Sequence, residues 1–461
     1  MSAPAERATD VLSEPPASRF LRVLRRELSL SLMPELQSAR ARGVAELMQS
    51  VLDHLIARQE HLPELEAQFE TTKRYALQAL TADQRGNSDE AALAQLVGQI
   101  EARSALHAVL AAERDLHDAL EGHEKNIVVT ALAPDEQPGL DAASLQTYLR
   151  CRFGEALYVA DIRTPMGGYS KDTFIVGLRG SARPADGIVI RCDLAGGPLE
   201  TTATSELGVL QAMHAAGVPV AEPLWAEADP RALGRPFIAV KQVAGRQLMD
   251  MRLEFSGDNA ADCARQMARV LARVHQVDPS TTGIDEKRSA QTTRQHIVAL
   301  LDQFEDQWHR RRLGPSPAMA AGFAWMRANI PEQLPSARVV HGDATLRNML
   351  FDGSAATALL DWETWHLGDP AEDLAYCRDE VQRFVDWNQF LAEYHDAGGP
   401  AVSDESLHYW GMWMYLRGAV TSTSQMDRLL DEPPPDIRPA FGGPHFTRYC
   451  VRKVADFLLH C

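Results

Sequence analysis

The sequence predicts an α+β protein in two lobes, preceded by an all-α helical domain. Three observations predict this class. Residues 19–130 carry apolar side chains at steps of three to four, which is typical of amphipathic helices. Short β-branched runs, separated by Gly- and Pro-bearing turns, begin after residue 141. Beyond Gly245 the pattern is again mostly helical, so a small antiparallel sheet that carries one helix leads into a larger helical lobe.

The helical domain follows a tail, residues 1–18, whose Ala, Pro, Ser and Glu content predicts a loose segment. Within residues 19–130 the clearest apolar stripe runs from 93 to 120 and predicts one long helix. Pro34 and Pro63 stand where we expect helices to begin, because proline is tolerated in a first turn. We find no group of side chains suited to catalysis here. We therefore expect a helical bundle that packs on the rest of the chain, on a second copy or on a partner protein.

The turn-forming segment 131–140 is expected to be a linker. Residues 141–243 then form the sheet-bearing N-lobe, and residues 244–461 form the helical C-lobe. The strands expected in the N-lobe are Phe174–Leu178, Gly187–Arg191 and Phe237–Val243, with a helix over Thr204–Ala215 between the second and third and another over Leu145–Arg152 before them.

Composition limits the class of partner and compartment. The chain has 461 residues, 45% hydrophobic and 24% charged, as in an ordinary globular protein. Its net charge of -17 disfavours nucleic acid, because neutralising phosphates needs a basic face. The six cysteines form no CxxC pair, which favours a reducing compartment. No signal peptide or membrane-length apolar run occurs, so we expect a cytoplasmic protein without a membrane partner.

The stretch from residue 339 to residue 376 carries the candidate chemistry. It holds Asp343, then Asn348 five residues later, and Asp361 after a turn and an apolar run. Phosphoryl transfer to a hydroxyl needs a carboxylate that accepts or orients the acceptor proton. It also needs an amide oxygen and a second carboxylate to hold Mg²⁺. The pattern therefore predicts Asp343 as the catalytic carboxylate, with Asn348 and Asp361 as the metal ligands.

The spacing between the two metal candidates has a mechanical reason. Met349–Phe351 and Ala358–Leu360 predict the two strands of a hairpin that turns near Asp352. Such a hairpin places Asn348 and Asp361 at adjacent strand ends, close enough to share one ion.

This stretch resembles the aminoglycoside phosphotransferase and choline kinase-like superfamily. The matching motifs are HGDxxxxN at His341–Asn348, DWE at Asp361–Glu363, and GDP with DLA at Gly368–Pro370 and Asp373–Ala375. A lone HGD would be a weak signal, whereas the set is specific. The resemblance spans about residues 141–461. It implies a two-lobed protein-kinase-like fold and a kinase that uses ATP and Mg²⁺ to phosphorylate a hydroxyl of a small molecule.

The resemblance also implies a nucleotide site in the N-lobe. A loop over the ATP phosphates falls on Gly167, Gly168, Tyr169 and Ser170, although a Gly-Gly hairpin turn is the commoner explanation for such residues. The phosphate-binding cation falls on Arg191, where relatives usually have Lys, with Glu206 as its partner; an edge-strand Arg and a solvated helix Glu are the competing interpretation. The strand that ends near Val243 resembles the hinge, so the backbone of Lys241 and Val243 is expected to pair with the adenine edge.

The sequence indicates the identity of the phosphoryl acceptor less clearly than it indicates the type of reaction. The stretch before residue 341 resembles a branch found beside or fused to acyl-CoA dehydrogenases, some of whose members phosphorylate hydroxyacyl-CoA thioesters. Arg310, Arg311 and Arg312 would then attract an anionic substrate, with Glu363 also on the acceptor side, but a solvated basic helix end explains the arginines equally well. Two other functions stay open: a kinase for aminoglycosides or amino alcohols, and a catalytically idle nucleotide-binding module.

Overall fold

The structure is a computed structural model that describes residues 17–37, 39–78, 103–124, 140–164, 171–180, 187–193, 202–247, 259–282, 284, 290–311, 314–430 and 438–461. The expected tail up to residue 16, the expected linker up to residue 139 and the expected phosphate loop at 167–170 lie outside the described residues. Among the described residues, no helix is both long enough and apolar enough to cross a bilayer.

The helices are α1 Ala17–Glu27, α2 Ala39–Gln78, α3 Arg103–Glu124, α4 Ala142–Phe153, α5 Glu206–Ala215, α6 Ala260–Gln276, α7 Pro279–Thr282, α8 Thr293–Arg311, α9 Pro317–Ala328, α10 Ala371–Val381, α11 Trp387–Asp396, α12 Asp404–Leu430 and α13 Arg438–His460. The strands are β1 Tyr158–Arg163, β2 Lys171–Arg179, β3 Gly187–Asp193, β4 Pro223–Glu227, β5 Phe237–Lys241, β6 Arg338–Val340, β7 Met349–Asp352, β8 Ala355–Leu359 and β9 His366–Gly368. Short 3₁₀ turns include Leu346–Asn348 and Trp362–Thr364.

The N-lobe is an antiparallel sheet in the order β1-β2-β3-β5-β4. The three expected strands are present, as are the two expected helices α4 and α5. Strand β3 lies at the centre of the sheet, with Arg191 paired to Thr173 on one side and to Ile238 on the other. The competing interpretation of Arg191 as an edge-strand residue is therefore wrong. Helix α4 packs Leu145 and Leu149, both fully buried, into the core under the sheet.

The C-lobe is helical, with two short strand pairs that position loops. Strand β6 pairs with β9, and β7 pairs with β8 in the expected hairpin. The hairpin contacts the N-lobe side through Arg246, whose backbone exchanges two hydrogen bonds with Phe351. These pairs hold the loop after β6 and the loop after β8 on the same side of the lobe.

The helical domain differs from its prediction at one proline. Pro34 lies in the first turn of the short 3₁₀ helix Met33–Glu35, as expected, but Pro63 lies inside the 40-residue helix α2 and does not begin a helix. An interior proline removes one backbone hydrogen bond and costs about 3 kcal/mol or more. The apolar positions on both sides of Pro63 belong to one helix that packs along α3, and this packing offsets the cost.

The N-terminal helices are not independent of the lobe behind them. Leu106, Val109 and Leu110 of α3 are buried in the same core as the C-lobe helices. Helix α1 is joined to α2 by ion pairs of Arg22 with Glu60 and of Arg25 with Asp53. Three apolar side chains of α1 are more than half exposed: Phe20, Val23 and Leu24. The expected contact of this region with a partner protein or a second copy stays a prediction.

Glu113 of α3 joins the helical domain to α9. Its buried carboxylate accepts hydrogen bonds from the Ser316 hydroxyl at 2.6 Å and from the Ala318 N–H at 2.7 Å, at the positive end of the α9 dipole. We expect Glu113→Ala to lower the free energy of unfolding by about 2 to 4 kcal/mol, because both donors are left buried without this acceptor. Urea denaturation measures this change. The control Asp115→Ala, on the exposed side of the same helix, is expected to cost less than about 0.5 kcal/mol, and equal losses would refute the role of Glu113.

Candidate active site

The loop that carries Asp343 is held by a buried carboxylate. The backbone N–H groups of His341 and Gly342 both donate to Asp373, each at 2.8 Å. Gly342 has φ +80°, and a Cβ there would lie 2.7 Å from the Thr364 carbonyl oxygen, so only glycine fits. These contacts fix the backbone immediately before Asp343.

Two histidines stabilise the same loop. The Asp343 N–H donates to His341 Nδ1 at 3.2 Å, so the proton lies on Nε2, which donates to the Leu360 carbonyl at 2.9 Å. His275, fully buried, lies 3.0 Å from Asp373 Oδ2 and 2.9 Å from the Tyr394 hydroxyl. Burial alone would raise the pKa of Asp373, but its hydrogen bond and charge interaction with His275 hold the pKa below its ordinary value. Both histidines thus make structural contacts that hold this loop.

Asn348 ties the two acidic loops together. Its Nδ2 donates to both the backbone oxygen and Oδ2 of Asp343, each at 2.8 Å. Its own carbonyl accepts from the Leu360 N–H at 2.6 Å, next to Asp361. With Nδ2 used in this way, Asn348 Oδ1 accepts no hydrogen bond from the described residues and is free to act as a ligand.

Asp361 is held in an unusual backbone conformation. It is the one non-glycine residue with positive φ (+65°) in the described part of the chain. Such strain costs about 1 to 3 kcal/mol and clusters at functional sites. The strained turn presents a carboxylate that is 30% exposed and lies 2.5 Å from Arg191 Nη2. Burial would raise the pKa of Asp361, but the Arg191 guanidinium outweighs it and lowers the pKa.

An ion network continues from Arg191 into the N-lobe. Arg191 Nη1 donates to Glu206 Oε2 at 2.7 Å, so the expected pair is formed. Lys171, at the start of β2, lies 3.0 Å from Glu206 Oε1 in an ion-pair contact and donates to Glu363 Oε2 at 2.9 Å. Three carboxylates and two cations from both lobes therefore meet in one buried cluster, which we call the lobe-bridging cluster: Lys171, Arg191, Glu206, Asp361 and Glu363.

The cluster changes the acidity of its members. Burial and the nearby charge of Asp361 raise the pKa of Glu363 to about 7, although Lys171 opposes the shift. Burial would lower the pKa of Lys171, but the charges of Glu206 and Glu363 outweigh it and raise the pKa. The pKa of Arg191 is likewise raised by Glu206 and Asp361 against the effect of burial. Both cations stay charged at neutral pH.

The sequence reasoning did not select Lys171 as a functional residue. The feature that identifies Lys171 is the pairing register of strands β2 and β3. Thr173 lies opposite Arg191, and Lys171 lies two residues before Thr173, so Lys171 and Arg191 share one face of the sheet. That pairing could not be read from composition or spacing.

Two further residues beside Asp343 were also missed. Burial raises the pKa of the Tyr376 hydroxyl, and the charge of Asp343 and a hydrogen bond to it raise it further. Arg417 of α12, 7% exposed, places its guanidinium 5.2 Å from the Tyr376 ring centre. Its pKa is raised by Tyr376 and Asp343 against the effect of burial.

The remaining predicted residues have varied surroundings. The Lys241 N–H donates to the Glu222 carbonyl at 2.8 Å, so a contact with adenine through Lys241 would have to use its carbonyl oxygen. Val243 is partly buried against the core. Arg310 pairs with Asp306 at 2.9 Å on the exposed end of α8, while Arg311 ends that helix and Arg312 lies outside the described residues. Glu363 contacts Lys171, so its expected role toward the acceptor stays a prediction.

Known proteins share this arrangement of motifs. A sequence profile of the Phosphotransferase enzyme family (APH) matches residues 161–410, more than half of the chain. The chain belongs to this family. It is a small-molecule phosphotransferase.

The curated relatives are longer proteins. Acyl-CoA dehydrogenase family member 11 of Gallus gallus is 29% identical over 250 residues, which are 52% of this chain and 31% of that protein. Acyl-CoA dehydrogenase family member 10 of Mus musculus is 32% identical over 176 residues, which are 37% of this chain and 16% of that protein. The chain thus spans less than a third of the length of these relatives.

Solved structures share the fold. The structure of a candidate aminoglycoside phosphotransferase from Ralstonia eutropha JMP134 matches with a TM-score of 0.53 and 22% identity, covering 69% of this chain and 98% of that one. Aminoglycoside phosphotransferase APH(4)-Ia, in a ternary complex with ADP and hygromycin B, matches with a TM-score of 0.50 and 17% identity, covering 69% of this chain and 98% of that one. The protein therefore has the expected two-lobed phosphotransferase fold, preceded by helices.

The buried contact between Arg191 and Glu206 can be measured by a double-mutant cycle. We expect Arg191→Ala and Glu206→Gln to lower the free energy of unfolding with a coupling of more than about 1 kcal/mol, because the two groups act as one unit. The exposed pair of Arg269 and Glu393, 2.8 Å apart, is the reference and is expected to couple by less than about 0.5 kcal/mol. Equal couplings in urea denaturation would show that the Arg191 contact is no stronger than a surface ion pair.

Proposed function

We propose that the enzyme transfers the γ-phosphoryl group of ATP, with Mg²⁺, to a hydroxyl of a small molecule, and that this molecule is a hydroxyacyl-CoA. The observation that carries the proposal is the juxtaposition of Asp343, Asn348 and Asp361. Asn348 joins the other two directly, by its side chain to Asp343 and by its backbone to the residue before Asp361. Asn348 thus links a candidate proton acceptor and a second candidate oxygen ligand, the combination that phosphoryl transfer requires.

Asp343 receives the acceptor proton in this mechanism. The acceptor oxygen forms a bond to the γ-phosphorus while the bond from that phosphorus to the ADP oxygen breaks, and the hydroxyl proton passes to Asp343. The hydrogen bond from Asn348 Nδ2 to Asp343 Oδ2 fixes the carboxylate. Tyr376 and the charge of Arg417 also interact with Asp343.

The residues present fit a magnesium ion. Asn348 Oδ1 and the Asp361 carboxylate are hard oxygen donors, and Mg²⁺ is usually held by one or two carboxylates together with substrate phosphates. When bound, the ion neutralises charge that develops on the phosphates. The strained turn at Asp361 orients its carboxylate, and Arg191 keeps that carboxylate ionised.

Nucleotide binding involves the central sheet. Arg191 is the cation for the phosphates, since its Nη2 reaches the exposed Asp361 while its Nη1 stays on Glu206. The backbone at the end of β5 and just beyond it, at Lys241 and Val243, binds the adenine edge, and the glycine loop at 167–170 covers the phosphates. A planar guanidinium suits this position because it can contact a carboxylate and a phosphate together.

The choice of acceptor rests on the relatives. The two relatives described above are named as acyl-CoA dehydrogenase family members, and this supports an acyl-CoA as the substrate class. Arg310 and Arg311 at the end of α8 add positive charge that suits the phosphates of CoA. Five cysteines, Cys151, Cys192, Cys263, Cys377 and Cys450, are free thiols, which favours a reducing compartment such as the cytoplasm.

The acceptor class is tested by a panel. The full chain is incubated with Mg-ATP and hydroxyacyl-CoAs, amino alcohols and aminoglycosides, and phosphoryl gain is read by mass. We expect gain on the hydroxyacyl-CoAs alone. Gain on aminoglycosides or amino alcohols alone would refute the acyl-CoA assignment and leave the phosphotransferase assignment in place.

Asp343→Asn tests the proton acceptor. We expect kcat to fall at least about a hundredfold, because an amide cannot take the acceptor proton. The affinity for Mg-ATP is expected to stay close to that of wild type, since Asp343 faces the acceptor. The matched control Asp352→Asn, at the exposed end of β7 in the hairpin that follows, should retain full activity. Turnover of Asp343→Asn within a few-fold of wild type would show that Asp343 is not the base.

Asp361→Ala tests the metal ligand. We expect the variant to lose the dependence of nucleotide affinity on Mg²⁺, because the ion loses its anionic ligand. Binding of metal-free nucleotide should be retained or strengthened, since Arg191 Nη2 is released from Asp361. Magnesium titrations of nucleotide affinity measure both effects. An unchanged response to Mg²⁺ would mean that Asp361 acts only on the structure of its loop.

A further inference from the structure

We propose that Lys171 is a second functional cation of this phosphotransferase. In this account it is a positioning residue that neutralises Glu206 and Glu363 and thereby leaves Arg191 free to turn from Asp361 to the nucleotide phosphates. The inference rests on the nucleotide-binding part of the proposed function, and it concerns a residue that the expected motifs do not contain.

The contacts of Lys171 indicate that it positions other side chains and does not bind a ligand itself. Its side chain is 3% exposed, and its ammonium lies between Glu206 of the N-lobe and Glu363 of the C-lobe. Glu206 is fully buried, and Glu363 is 10% exposed. A lysine enclosed in this way has no open side toward a ligand, so it acts through the two carboxylates that it contacts.

Unlike Lys171, Arg191 has one terminal nitrogen that can change its partner. Its side chain is 17% exposed, and its two terminal nitrogens have different partners. Nη1 binds the buried Glu206, whereas Nη2 binds Asp361, the more exposed carboxylate and the candidate metal ligand. Nη2 is therefore the group that can exchange its partner for a phosphate when Asp361 is needed elsewhere.

Charge balance explains why a second cation is needed. The lobe-bridging cluster holds three carboxylates and two cations, and Lys171 is the sole cation within salt-bridge distance of Glu363 in the described part of the chain. Without Lys171, Arg191 alone would face three carboxylates. Glu206 and Glu363, where ionised, would then compete with the incoming phosphates for the Arg191 guanidinium.

The competing account is that Lys171 only stabilises the fold. Both accounts expect Lys171→Met to lower Tm. They differ in what a second substitution does: if Lys171 acts by neutralising Glu363, then removing the charge of Glu363 as well should restore binding. If Lys171 acts only as packing and hydrogen bonding, a second loss in the same cluster should add to the first.

The experiment measures the affinity of the full chain for Mg-ADP by calorimetry. The variants are Lys171→Met, Lys171→Arg, Glu363→Gln and the double variant Lys171→Met with Glu363→Gln. Lys453→Met on α13 is the matched lysine control, and it is expected to bind as wild type does. Circular dichroism and Tm check the folded state, and Lys171→Gln, which keeps a hydrogen-bonding group, replaces Lys171→Met if that variant does not fold.

We expect Lys171→Met to weaken Mg-ADP binding by about tenfold or more and Lys171→Arg by less than about threefold. The double variant should bind at least about threefold more tightly than Lys171→Met. The inference would be overturned, and the proposed function left in place, by either of two results: Lys171→Met binds Mg-ADP as tightly as wild type does, or the double variant binds it more weakly than Lys171→Met does. A wild-type protein that does not bind Mg-ADP would instead overturn the proposed function.

Discussion

The fully buried carboxylate of Glu206 is the constraint on which the N-lobe side of the site depends. A charge taken out of water must be paired, and Glu206 is paired twice, with Lys171 of β2 and Arg191 of β3. The same two cations reach the turn after β8 through Glu363 and Asp361. One carboxylate on α5 therefore fixes two neighbouring strands and, through them, the loop that carries the candidate metal ligand.

A second buried carboxylate plays the corresponding part in the C-lobe. Asp373 accepts hydrogen bonds from two successive backbone N–H groups of the Asp343 loop and contacts His275. The Asp343 loop and the turn that carries Asp361 meet where the Leu360 N–H donates to the Asn348 carbonyl. The two candidate active-site carboxylates, Asp343 and Asp361, thus lie on loops that other carboxylates hold, Asp373 through backbone N–H groups and Glu206 through Arg191. This arrangement is consistent with the need to place the acceptor, the metal and the phosphates within a short distance of one another.

The sequence predicted the parts of this site that are local in the chain. The hairpin that brings Asn348 beside Asp361 and the three inner strands depend on short-range patterns, whereas the pairing of Arg191 with Glu206 was implied by the family resemblance. Strands β1 and β4 were missed, since β1 is largely exposed and polar and β4 begins with proline. Pro63 was misplaced because packing against α3 overrides a local helix-start signal. Lys171 was overlooked as a functional residue because its partners lie in other elements, and Glu363 is 192 positions away.

The most direct test of the account is a crystal structure of the full chain with Mg²⁺ and a non-hydrolysable ATP analogue. The account predicts that the metal binds the Asp361 carboxylate and Asn348 Oδ1. Arg191 Nη2 should have left Asp361 for a phosphate oxygen, while Nη1 stays on Glu206 and Lys171 stays between Glu206 and Glu363. Phosphates bound away from Arg191, or a metal bound without Asp361, would contradict it.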